Sequence, residues 1–284
     1  MPIRETPNTG ITYDRAMAAL WAKVFELRCL VDSLYSYFNG TNVTDINSYR
    51  VRQIKRLSLM ADTFVGISFR RKDLVSAHIL QRCIVDSATG FLIIYDNDNS
   101  ESILLRHYLY LLDGNKAHND AVGAVDMELY PKTIREDVSR LAELNKKEYE
   151  RSESLFVEKI KELSIYKADS SRIDKLIKSR NWKYQDIDKP AENVKWKTLY
   201  GKIDKLAPAD LTSYLSQDIH GLSFSVENID AAPENFTGSI IQVVYICERI
   251  MNYMERRMGN LWLPQIQEYY ERLISSDAKP STLE

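Results

Sequence analysis

A hydrophobic repeat at steps of three and four residues runs along nearly the whole chain, and it leaves little room for any fold but a helical one. Between Tyr13 and Phe38 the apolar residues Leu20, Trp21, Val24, Phe25, Val31, Leu34 and Phe38 recur at those steps, as one face of an α-helix requires. Asn39-Gly40 then supplies a helix stop, glycine taking the left-handed terminal conformation. A second helix is expected from Thr44-Asp45 to about Phe69, with Ile54, Leu57, Met60, Phe64 and Ile67 on one face, and a third from Asp73 to Tyr95. The third is apolar on most sides and is therefore expected at the centre. After the polar turn Asp96–Ser100 a fourth covers at least Glu101–Leu112 and extends past Asp113-Gly114 towards Val125.

Pro131 suits the first turn of a long helix over Lys132–Ile165, the most charged stretch of the chain. It still keeps a stripe of Ile134, Val138, Leu141, Leu144, Phe156, Ile160 and Leu163, so an amphipathic helix with a wide solvated face is expected there. A short helix at Ser171–Ser179 and a polar connection over Asn181–Val194 follow. Three closing helices are expected over Lys195–Leu206, Pro208–Ser225 and Asn235–Ser275, with Pro264 kinking or restarting the last. Residues 276–284 are expected to be a disordered tail.

Composition agrees with this reading. The 284 residues include only 10 Gly and 8 Pro. That is about half their usual combined share, too few for the turns of a β-sandwich or barrel. No internal repeat or low-complexity tract is present. The expected fold is all-α, a single-domain bundle over 1–275 of about eight to ten helices, one of them long and charged.

The 38 Lys+Arg against 40 Asp+Glu exclude a globally basic nucleic-acid binder and leave only local patches. Those patches are Arg50-Val51-Arg52-Gln53-Ile54-Lys55-Arg56 and Arg70-Arg71-Lys72, each able to meet a phosphate backbone or to form a solvated helix face. Cys29, Cys83 and Cys247 lie far apart in apolar stretches and read as buried free thiols. The N-terminal MPIRETPNTG holds no apolar core of a secretory signal. The longest uncharged apolar run, Ser87–Tyr95, falls short of the roughly 20 residues that span a bilayer. A cytoplasmic protein outside the membrane is expected. No His or carboxylate pair has metal-ligand spacing and no glycine-rich phosphate loop can be written, so neither a metal nor a cofactor is expected.

Three groups of residues carry chemistry. Ser216 and His220, four apart, share a helix face, as a nucleophile and its base or as a polar pair closing the helix at Gly221. Arg82 and Asp86 are also four apart, within the apolar third helix. Charges there are costly unless paired, so an intrahelical ion pair reaching a polar partner on another helix is expected. A shared cluster of Arg82, Asp86, Ser216 and His220 would satisfy both pairs. Arg71 and His78, six residues between them, form the third group. An imidazole titrating near neutrality and a guanidinium fork together suit proton transfer beside a phosphate. His107 and His118 stand alone, the latter in a polar, solvent-facing stretch.

The Arg82/Asp86 pair, the run Arg106-His107-Tyr108-Leu109-Tyr110-Leu111-Leu112-Asp113-Gly114, and Tyr214-Leu215-Ser216 with His220-Gly221 resemble, in that order, a family of uncharacterised bacterial all-helical proteins. The resemblance covers about Asp73–Ser225 and departs from the family's pattern in carrying Asp86 where that pattern has Glu. It implies an all-α fold and a polar site at Arg82, Asp86, Ser216 and His220, and it implies no particular reaction. The Arg71–His78 spacing resembles the Arg-x4–6-His motif of HEPN ribonucleases, in which the His and Arg act on the 2′-hydroxyl and the scissile phosphate of RNA. That second resemblance carries an association with bacterial defence.

Two functions are therefore expected to compete. The first is a helical binding or regulatory module in bacterial stress or phage defence, acting on a protein partner or by self-association. The second is a HEPN-like, metal-independent ribonuclease using His220 or His78 with a nearby arginine, RNA being held by the local basic patches. A ribonuclease needs one of those histidines at the wall of an accessible pocket. A module buries them and exposes a patch on its long helices.

Overall fold

The computed structural model of the chain describes residues 10–38, 45–124, 126–184, 194–202, 215 and 232–277, the last stretch from 260 by its backbone alone. Among the described residues there is no strand, and nine α-helices account for most of them. They are α1 (Tyr13–Tyr37), α2 (Ile46–Gly66), α3 (Leu74–Tyr95), α4 (Ser100–Gly123), α5 (Lys132–Glu162), α6 (Ser164–Ala168), α7 (Ser170–Ser179), α8 (Trp196–Lys202) and α9 (Thr237–Asp277). The fold is all-α, with the long charged helix in place as α5.

The chain divides into two compact units, one of residues 1–92 and 197–284 and the other of residues 93–196. In the first, α1 packs along both α2 and α9. The repeat sets which residues meet: Leu20, Val24, Leu27, Val31 and Leu34 of α1 are buried with Val51, Ile54, Leu57, Ala61 and Phe64 of α2 and Ile240, Val243, Ile250 and Met254 of α9. From α3, Phe91 meets Tyr253 of α9 edge-to-face, ring centroids 4.9 Å apart. In the second unit α4 packs on α5, with α6 and α7 against α4, burying Leu105, Leu109, Leu112, Phe156, Ile160, Ile173 and Leu176.

Local chemistry starts the helices where the sequence places them. The Asp45 carboxylate accepts from the Asn47 N–H at 3.1 Å and opens α2. The Asn99 side chain accepts from the Ser102 N–H at 3.1 Å and opens α4. α2 does not run to Phe69 as a plain α-helix. Its last turn, Ile67–Arg71, widens to a π-helix, closed by the Lys72 N–H donating to the Ile67 carbonyl at 2.9 Å with Lys72 left-handed at φ 52°. α4 runs on past Asp113-Gly114 to Gly123. α9 runs through Pro264 as one helix, so of the kink or restart expected there the restart does not occur. The last two helices expected by sequence before α9, and the tail from 278, lie outside the described residues except for 195–202 and the buried helical Leu215.

Several expected burials need correction. Trp21 and Phe25 belong to the repeat of α1 yet are exposed, and so are Ile134, Leu141 and Leu144 of α5. Cys83 is exposed, whereas Cys29 and Cys247 are buried as expected; burial pushes the Cys247 thiol up to about 12. A 3.6 period marks a face but not whether a neighbouring helix reaches it. α3 has the length and apolar character to cross a membrane, and 61% of its most apolar window is buried within the protein.

Candidate functional site

The charges of α3 are resolved within the first unit. Arg82 Nε donates to both carboxylate oxygens of Asp86, at 3.0 and 2.9 Å. The partner from another helix is Tyr200 of α8, whose hydroxyl donates to Asp86 Oδ1. The Arg82 guanidinium also lies 5.8 Å from the centroid of the Tyr200 ring. Asp86 thus accepts from two helices, and the cation it pairs with lies over the aromatic ring that carries the second donor.

Burial, and then the hydrogen bond to Asp86, hold the Tyr200 hydroxyl well above the ordinary tyrosine range. At neutral pH this tyrosine is a proton donor and neither a base nor a nucleophile. Asp86 accepts three hydrogen bonds. The arrangement fastens α8 to α3.

The same helix buries further polar groups. Gln81, one residue before Arg82, donates through Nε2 to Gln242 Oε1 of α9. Gln81 Oε1 and Thr89 Oγ1 are buried with no hydrogen-bond partner among the described residues. His78 is only 2% exposed, while Arg71 lies in solvent at the end of the π-helical turn. The Arg71/His78 pair expected from spacing is thus divided between interior and surface. Ser216 and His220 lie outside the described residues, so only the Arg82–Asp86 half of the four-membered cluster is described, and Tyr200 joins it.

A second constellation lies in the other unit and centres on the Arg106 run of α4. Arg106 Nη1 donates to the Trp182 carbonyl at 3.0 Å and Nη2 to the Tyr184 carbonyl at 2.9 Å, with the Tyr184 ring 4.0 Å from the guanidinium carbon. One turn on, the Tyr110 ring meets Trp182 edge-to-face at 5.2 Å, and a further turn on Asp113 accepts from Trp182 Nε1 at 3.0 Å. Successive residues of one helix face therefore hold the loop after α7, the stretch read from sequence as a polar connection. Its signal was the aromatic density of Trp182 and Tyr184, not its polarity. His107, between them in sequence, is fully buried and shares a 2.8 Å hydrogen bond through Nδ1 with the Tyr95 hydroxyl, whereas His118 is exposed.

Tyr200 is the residue sequence reasoning missed at the first site. Two half-buried charges four apart in an apolar helix announce a missing partner, but they do not name it. Of the basic clusters, Lys55 is paired with Asp32, while Arg70, Arg71 and Lys72 are all exposed. Among the described residues no three His, Cys, Asp or Glu side chains are grouped to hold a metal ion. Comparison with protein-family models, curated proteins and solved structures finds no match to this chain.

Proposed function

We propose that this protein acts by contact, as a helical binding module whose interaction surface is the N-terminal half of α5. The observation that carries this reading is the stripe of that helix. Its C-terminal half buries Phe156 and Ile160. The same stripe continues towards the N-terminus as Ile134, Leu141 and Leu144, which are 41%, 56% and 55% exposed. Large aliphatic side chains aligned on one helical face and left in water are what a helix-in-groove or helix-on-helix interface uses.

The flanking charges favour another copy of the same face as the partner. Between Lys132 and Glu148 the cations Lys132, Arg135, Arg140, Lys146 and Lys147 are interspersed with the anions Glu136, Asp137, Glu143 and Glu148. Two such faces meet with little net repulsion. The chemistry described elsewhere supports the same reading: Asp86 is engaged by Arg82 and Tyr200, Tyr200 holds its proton, and His78 is shielded from solvent. Of the two histidines a ribonuclease could use, His78 is buried, and His220 lies outside the described residues.

Sedimentation equilibrium over a range of concentrations tests the proposal. The expected result is reversible self-association that Leu141→Lys with Leu144→Lys abolishes while helicity is kept. Monomers at every concentration, or association unaffected by both substitutions, would contradict it.

A further inference from the structure

The outer face of α1 and the π-helical turn after α2 carry exposed groups that neither the core nor the α5 surface uses. Trp21, Phe25 and Phe69 are 46%, 62% and 50% exposed. Trp21 and Phe25 stand one turn apart on α1, with the small Ala18 and Ala22 exposed beside them and the charged Asp14 and Arg28 at either end of the same face. The Trp21 and Phe69 rings meet edge-to-face, centroids 6.3 Å apart at 83°. The Tyr13 hydroxyl donates to the Ser68 carbonyl at 3.0 Å and ties the π-helical turn to the start of α1.

Arg70, Arg71 and Lys72 follow Phe69 directly, all three exposed. Among the described residues none of these cations makes an ion pair or a side-chain hydrogen bond; the Asp73 carboxylate near Arg71 is engaged by Ser76. Arg28, by contrast, is ion-paired across to Asp62 at 2.9 Å and Lys23 with Glu26 at 3.1 Å. This run of exposed cations, Arg71 also acting on the Asp73 carboxyl, therefore lies at the end that also holds the exposed rings.

We infer that this patch binds single-stranded nucleic acid, its rings stacking on bases and the Arg70-Arg71-Lys72 run meeting the phosphates. Aromatic platforms beside a cationic run suit single strands, whose bases present free π-faces at intervals along a charged backbone. A duplex hides those faces. A lipid surface fits less well, because the Arg28–Asp62 pair lies one turn beyond Phe25 and would be buried with it. A protein groove fits less well too, since the exposed large apolar side chains on this face of α1 are aromatic and the charged Asp14 and Arg28 share it. The inference is independent of the α5 surface.

Fluorescence anisotropy of labelled oligouridine and oligothymidine, titrated with the full chain at several salt concentrations, tests it. The same titrations use a duplex and phosphatidylcholine/phosphatidylserine vesicles. Single strands are expected to bind in preference to duplex, with affinity falling as salt rises. Joint Arg70→Ala, Arg71→Ala and Lys72→Ala substitution is expected to flatten the log–log salt slope by about two. Phe25→Ala with Phe69→Ala is expected to weaken binding about ten-fold or more and leave that slope unchanged. Phe25→Leu keeps the bulk and removes the ring, and repeats the test if the double substitution disturbs folding. The inference is overturned if single strands do not bind, if binding ignores both sets of substitutions, if duplex binds as well as single strands, or if vesicles bind in their place.

Discussion

Asp86 shows how a charge can be kept in an apolar helix: one carboxylate collects a guanidinium from its own helix and a hydroxyl from α8. Removing the hydroxyl with Tyr200→Phe leaves the ion pair but takes away a charge-assisted hydrogen bond, at an expected cost of about 1.5 kcal/mol in urea unfolding at neutral pH. The deficit has a pH signature. Tyr200 is held above its ordinary value of 10.0 in the folded chain, so the protein retains a proton that the unfolded chain gives up in alkali. Its contribution is complete below pH 10 and declines as pH rises further, so the gap between wild type and Tyr200→Phe should narrow there. A gap that stays constant or widens above pH 10 would mean the hydroxyl is not held by Asp86. Sequence shows that Arg82 and Asp86 need a third group because burial of charge is costly. It cannot single out Tyr200, since a partner supplied across 114 residues leaves no local spacing to read.

At the level of elements, helix starts were legible because caps are local. Asp73 illustrates one. Its carboxylate accepts from the Ser76 N–H at 3.0 Å and from the Ser76 hydroxyl, at the point where α3 begins. Burial works to raise this carboxyl, but the Ser76 hydrogen bonds and the nearby Arg71 hold it below the ordinary 3.8. A lowered value means stability present above the carboxylate range and lost as pH falls through it. Asp73→Asn keeps a capping side chain without charge, so it should cost about 0.5 kcal/mol at neutral pH, and that difference should vanish below pH 3.8 in acid titrations of unfolding. A difference that persists in acid would place its origin outside the carboxylate. Helix faces were legible only in part. The repeat in α1 and α5 correctly marks an apolar side, but among the described residues no neighbouring helix covers Trp21, Phe25, Ile134, Leu141 or Leu144. Coverage is set by the lengths and placement of other elements, which a one-dimensional period does not encode. The π-helical turn was invisible for a related reason: one widened turn leaves the apolar spacing almost unchanged.

The described residues form a helical protein whose Arg82–Asp86 and Arg106 groups are tied into its structure and which leaves apolar side chains of α1 and α5 exposed. The fold class was readable from periodicity and from the scarcity of glycine and proline, because both act residue by residue. The function was not, because contact surfaces differ from core faces only in what fails to cover them. The central claim concerns the N-terminal half of α5, and hydrogen exchange there tests it most directly. Amide exchange by mass spectrometry, compared between dilute and concentrated protein, should slow across residues 132–146 and stay unchanged across 150–162, where α5 is already packed on α4. Exchange that does not depend on concentration in residues 132–146, or protection that appears elsewhere instead, would contradict the account.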